Sequence, residues 1–132
     1  MREIKFRAWD KKLKMMTHFS EWHLNREYNL LAFSAKEADE RNWSYGDMPH
    51  EQENCELMQF TGLKDKNGKP IFEGDIIGSY TRVKRFVLWI DEWARFGTKK
   101  VSNQKYAEVL TESQAKHFEI IGNIYENPDL TA

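Results

Sequence analysis

Nineteen residues in the middle of the chain hold most of its turn chemistry. From Leu57 to Asp75, two extended runs flank Asn67-Gly68, and Glu73-Gly74-Asp75 launches the strand after them. Reversals this close together leave room only for short antiparallel strands, so the segment predicts a small β-barrel. The reversal from Lys64 to Lys69 has two readings. Asp65 and Gly68 suit the first and fourth positions of a type I turn, and Asn67-Gly68 equally suits a type I′ hairpin. The readings agree on the reversal and differ in register. Pro70 cannot donate to a ladder and marks a strand start or an edge. Gly74 is expected at positive φ, with Asp75 accepting a hydrogen bond from a nearby amide.

Other stretches extend the β reading. Ile4 to Trp9 alternates, with Ile4, Phe6 and Ala8 on one face. Asp10-Lys11-Lys12 reads as a turn and Leu13 to Met16 as the returning strand of a hairpin. Residues 17–54 lack a period of two and read as an insertion, with a short helix from about Ala35 to Arg41 behind the capping box Ser34-Ala35-Lys36-Glu37. Further strands are expected at Ile76 to Tyr80, Phe86 to Ile90, Trp93 to Phe96 and Phe118 to Tyr125, with a loop over Gly97 to Gln104. Thr111-Glu112-Ser113-Gln114 is a second capping box, giving a short helix near 111–117.

At 132 residues the chain fits one domain with its own core. Five Trp, five Tyr and eight Phe argue against wholesale disorder. The balance of 20 basic and 21 acidic residues gives no bulk attraction to DNA or anionic membrane, so only a local patch could supply one. The single cysteine, Cys55, has no partner for an internal disulfide, which points to a reducing compartment. The opening Met1-Arg2-Glu3-Ile4-Lys5 lacks the apolar core of a secretion signal, and Phe86 to Ile90 is too short to span a bilayer. The expectation is a cytoplasmic protein.

No catalytic motif stands out. Glu73 and Asp75 flank Gly74 and read as turn residues rather than an acid–base pair. His18 and His23 are spaced for neither a helix face nor a strand face. His50, Glu53 and Cys55 match no standard zinc pattern. Cys55 reads as a small, partly buried hydrophobe, and His117 as a surface histidine. Gly62, Gly68, Gly74 and Gly78 are spread over strands and turns and form no phosphate loop. Catalytic residues, cofactors and metals are therefore all expected to be absent.

Two features point to binding instead. The run Tyr80-Thr81-Arg82-Val83-Lys84-Arg85, with Trp93 near it in sequence, mixes basic and aromatic residues as single-stranded nucleic-acid surfaces do. Tyr80, Arg82, Arg85 and Trp93 are its candidate contacts, set against a plain solvated loop. Separately, Phe86, Leu88 and Ile90 oppose Val87 and Trp89, and Ile120 and Ile124 oppose Ile121 and Tyr125. Strands apolar on both faces need cover on both, from the 17–54 insertion, the N-terminal hairpin or another subunit.

Three blocks carry a family likeness: Ile4-Lys5-Phe6-Arg7-Ala8-Trp9-Asp10; Met58 through Lys69, continuing from Ile71 to Ile77; and Ile121-Gly122-Asn123-Ile124-Tyr125-Glu126-Asn127-Pro128. In this order they resemble the YopX family of phage and prophage proteins. The resemblance implies an SH3-like small barrel, a phage or prophage setting and no assigned activity, and it offers no catalytic residues to carry over.

The combined expectation is a mainly β, SH3-like, partly open barrel. One YopX-like domain over 1–132 divides into a hairpin at 1–16, an insertion at 17–54 and a barrel core at 55–128. Its function is expected to be non-enzymatic binding, as a homo-oligomer or with a phage or host protein, and the alternative is nucleic-acid binding.

Overall fold

A computed structural model describes residues 3–19, 24–25, 30–31, 50–51, 55–79 and 82–131. The helix expected at Ala35 to Arg41 lies outside them, as do Glu53, Tyr80 and most of 17–54. The chain forms two compact units, one of residues 5–58 and one of 59–132 together with 1–4.

In the first unit, β1 (Phe6–Asp10) and β2 (Met15–Phe19) pair antiparallel, with Asp10 opposite Met15. Asp10 makes the reversal. Its Oδ1 accepts the backbone N–H groups of Lys12 at 2.9 Å and Leu13 at 2.8 Å, and Lys14 takes positive φ to complete the turn. The returning strand thus starts two residues later than the sequence suggests. Two-residue strands β3 (Leu24–Asn25), β4 (Leu30–Leu31) and β5 (His50–Glu51) form a small antiparallel sheet. Buried Ala8 packs against Phe6 and Cys55.

β6 (Cys55–Lys64) begins in the first unit and enters the second. It pairs with β7 (Pro70–Phe72), whose first residue is Pro70 as its missing N–H requires. The turn between them settles the register. Gly68 N–H donates to the Asp65 carbonyl at 3.0 Å, Asp65 N–H donates to the Lys69 carbonyl at 2.9 Å, and Gly68 has φ +80°. Asn67 is not among the positive-φ residues, which rules out type I′ and leaves a type I turn closed by a glycine bulge. Gly74 has φ +84°, and Asp75 Oδ2 accepts the Phe72 N–H at 2.8 Å, as expected.

The rest is a curled half-barrel sheet of five antiparallel strands, β8 (Asp75–Gly78), β9 (Lys84–Ile90), β10 (Arg95–Lys100), β11 (Ala107–Val109) and β12 (Glu119–Asn123), in the order β11-β10-β9-β8-β12. A 3-10 turn over Asp91–Trp93 and a left-handed Ala94 join β9 to β10. Gly97 lies within β10 rather than opening a loop. A Cβ there would run into Ile90 Cδ1 and stand 2.5 Å from the Glu108 carbonyl oxygen, so glycine lets β10 and β11 approach. α1 (Glu112–Ala115) carries the expected capping box and drives Ala115 into a core of Ile71, Ile77, Val87 and Leu110. Leu63, Phe118 and Ile120 pack around that core. No helix among the described residues is long and apolar enough to cross a membrane.

Candidate functional site

The sheet register assembles a basic groove at one end of β9. Gly78 lies opposite Lys84 on one side and Glu119 on the other, so β9, β8 and β12 present a row of Lys84, Gly78 and Glu119. A bulge in β12 between Ile120 and Gly122 re-aims Ile121, whose side chain fills the space a Gly78 Cβ would border at 3.7 Å. Lys66 comes in from the β6–β7 turn, Lys116 and His117 from the end of α1, and Ser79 and Arg82 from the β8–β9 connection. These residues enclose a groove of about 610 Å³ in which four cations face one carboxylate. The chain as a whole has net charge −1, so this is a local concentration of positive charge.

Two of the cations are already engaged. Lys66 Nζ lies 3.6 Å from Glu119 Oε2, and Lys116 Nζ lies 3.5 Å from Glu112 Oε1. Both pairs are about half exposed or more, so solvent screens them and both lysines can turn to a ligand. Arg82 and Lys84 have no ion pair among the described residues. Arg82 also sits at φ +64°, with its N–H donating to the Ser79 carbonyl at 2.9 Å. A left-handed conformation costs a non-glycine residue about 1 kcal/mol or more, and here it belongs to the turn that brings Arg82 into the groove lining.

The four residues singled out from the sequence part company. Tyr80 lies outside the described residues. Arg82 is exposed at the groove. Arg85 turns its mostly buried guanidinium across the sheet, where Nη2 meets Glu108 Oε2 at 3.1 Å. Trp93 is 46% exposed on the 3-10 turn beyond the far end of β9. Six strand steps separate Lys84 from Ile90, roughly 20 Å, so Arg82 and Trp93 belong to different surfaces. Lys66 and Lys116 have no role in the sequence reading, and His117, exposed as that reading has it, is placed there only on the surface, because all three join the groove through pairings between distant strands. Period-two alternation carries no information about which strands become neighbours.

The other candidates have structural duties. Glu73 Oε1 accepts the Gln59 N–H at 2.9 Å, and burial pushes its carboxyl above the ordinary glutamate value against that bond. Asp75 is bonded to the Phe72 amide. Burial, reinforced by the nearby Asp10 carboxylate, raises the Cys55 thiol to about 11. Among the described residues, no group of three or more His, Cys, Asp or Glu side chains could hold a metal ion.

None of the curated proteins matches the chain. Among solved structures it is similar to the crystal structure of protein EF1440 from Enterococcus faecalis, with TM-score 0.62 and 25% identity over 100% of both chains. The model of the YopX protein family matches residues 5–132, nearly the whole length, and the chain belongs to the YopX family.

Proposed function

We propose that this protein is a non-enzymatic phage or prophage binding module, working in the bacterial cytoplasm, that grips the phosphate backbone of nucleic acid in the groove of Lys66, Arg82, Lys84 and Lys116. The observation that carries this reading is the gathering of four cations around one carboxylate in a chain of net charge −1. Phosphate contacts of this kind are sequence-independent and release condensed counterions. Apart from the His117 imidazole, the described groove supplies no aromatic ring, which favours backbone contact over base reading.

The test is fluorescence anisotropy with labelled single- and double-stranded oligonucleotides across a salt series. Three or four phosphate contacts give a log–log salt slope of about −3. The double substitution Arg82→Glu, Lys84→Glu should abolish binding while circular dichroism stays unchanged. Absence of binding at low salt, or binding indifferent to the double substitution, overturns the reading.

A further inference from the structure

A second surface runs back along β9 from its Ile90 end, and its charge order is the opposite of uniform. Leu88, Ile90 and Ala107 floor a trough of about 490 Å³ on the β9–β10–β11 side of the sheet. Trp93, 46% exposed, and Tyr106, 66% exposed, stand on its walls. Asp91 and Glu92 lie at the hairpin tip, where the one nearby cation among the described residues, Arg95, lines a different pocket with Thr111 and Glu112, whereas Lys99 and Lys105 lie toward the opposite end. Ile90 pairs with Arg95 and Phe86 with Lys99, which sets the two ends about four strand steps, roughly 13 Å, apart. Lys105 Nζ is held 5.4 Å above the Tyr106 ring, so the basic end also has a defined position.

We propose that this trough is the contact between two copies of the chain, related by a two-fold axis through the Trp93–Tyr106 region. A surface acidic at one end and basic at the other is its own complement when turned end for end, which is what an isologous interface requires. Asp91 and Glu92 of one copy then meet Lys99 and Lys105 of the other. Trp93 beside the acidic end of one copy meets Tyr106 beside the basic end of the other, and both rings lose their water, as the anchors of an interface do. This surface shares no lining residue with the groove at Arg82, and its acidic end repels a polyanion. The dimer does not depend on the nucleic-acid reading.

Sedimentation velocity over a concentration series tests it. The wild-type chain should be dimeric at micromolar concentration, with the dimer weakened by salt. Trp93→Ala with Tyr106→Ala should give a monomer. The chain with Asp91→Lys and Glu92→Lys should be monomeric alone, as should the chain with Lys99→Glu and Lys105→Glu. Mixing these two charge-reversed chains should restore a dimer, because every contact across the axis is complementary again. A misfolded variant could not be rescued in this way. A wild-type monomer at high micromolar concentration, or a dimer untouched by all of these substitutions, overturns the proposal.

Discussion

Asp65 Oδ2 accepts the backbone N–H of Ile120 at 3.0 Å, so a turn residue ties down a strand 55 positions later. The other oxygen, Oδ1, accepts the N–H groups of Asn67 and Lys69, both at 2.9 Å. Asp65 therefore shapes the β6–β7 reversal and holds β12 beside it at once. Replacing it with alanine orphans three amides, that of the half-buried Ile120 and those of the exposed turn residues Asn67 and Lys69, at a net cost of about 0.5–1 kcal/mol each. Asp65→Ala should cost about 2–3 kcal/mol in urea unfolding.

The same carboxyl sets an acid limit. Burial by itself would raise its pKa, but the amides of Ile120, Lys69 and Asn67 and the Lys69 charge outweigh that and hold it below the ordinary aspartate value. A group whose pKa is lowered in the folded state adds stability above its unfolded value, about 3.9, and loses it as pH falls through the folded one. Wild-type stability should thus fall more steeply below about pH 4 than that of Asp65→Asn. Urea titrations at a series of acid pH values decide this, and parallel acid profiles would show that Asp65 is not the group responsible.

Gly97 is buried where its absent side chain matters. The Glu108 carbonyl oxygen, 2.5 Å from a Cβ built there, belongs to a paired strand and cannot move without disturbing the ladder. Gly97→Ala should lower stability by about 1–3 kcal/mol despite alanine's better backbone entropy. A thermal midpoint equal to wild type would mean that β11 yields freely.

Local chemistry was readable in the residues themselves. Asp65, Gly68 and Gly74 announced their turns, Thr111 its capping box and Pro70 its strand start, because each effect acts over a few residues. The mainly β, partly open barrel class followed from their density. Gly97 misled for the opposite reason: its role depends on Ile90 and Glu108, and nothing nearby in sequence marks a close approach between strands. β11 escaped notice as well, since three residues with one apolar face carry almost no periodic signal. The basic groove was half legible. Arg82 and Lys84 stood out as a local run, but Lys66, Lys116 and His117 reach it only through the β8–β12 pairing.

The capping box of α1 is a reciprocal pair. Thr111 Oγ1 accepts the Gln114 N–H at 3.3 Å, and Gln114 Oε1 accepts the Thr111 N–H at 3.2 Å. A four-residue helix has little stability of its own, so its cap is needed to seat Ala115 in the core. Thr111→Ala should cost about 1 kcal/mol. A double-mutant cycle with Gln114→Ala should show the two losses to be less than additive, and full additivity would deny the reciprocity.

Cys55 should be a slow nucleophile. With its thiol raised to about 11, only about one molecule in a few thousand carries thiolate at pH 7.5. Alkylation by iodoacetamide should proceed at least tenfold more slowly than for a free cysteine, and the rate should climb through pH 10 rather than level off near 9. A rate matching the free amino acid would contradict the burial of Cys55 against Ala8.

Arg82 and Arg85 are three residues apart and should behave oppositely. Arg82 is exposed at the groove with no ion pair among the described residues, whereas the Arg85 side chain is only 13% exposed and its Nη2 is bound to Glu108. Arg82→Gln should weaken oligonucleotide binding several-fold and make the salt slope shallower by about one, with unfolding unchanged. Arg85→Gln should leave that slope alone and lower stability instead, because Glu108 loses its partner and a mostly buried guanidinium is replaced by a shorter amide. Measuring anisotropy and urea unfolding on both variants separates the roles. If Arg85→Gln reduced the salt slope as much as Arg82→Gln, the binding surface would have to extend across the sheet, and the groove would not be its centre.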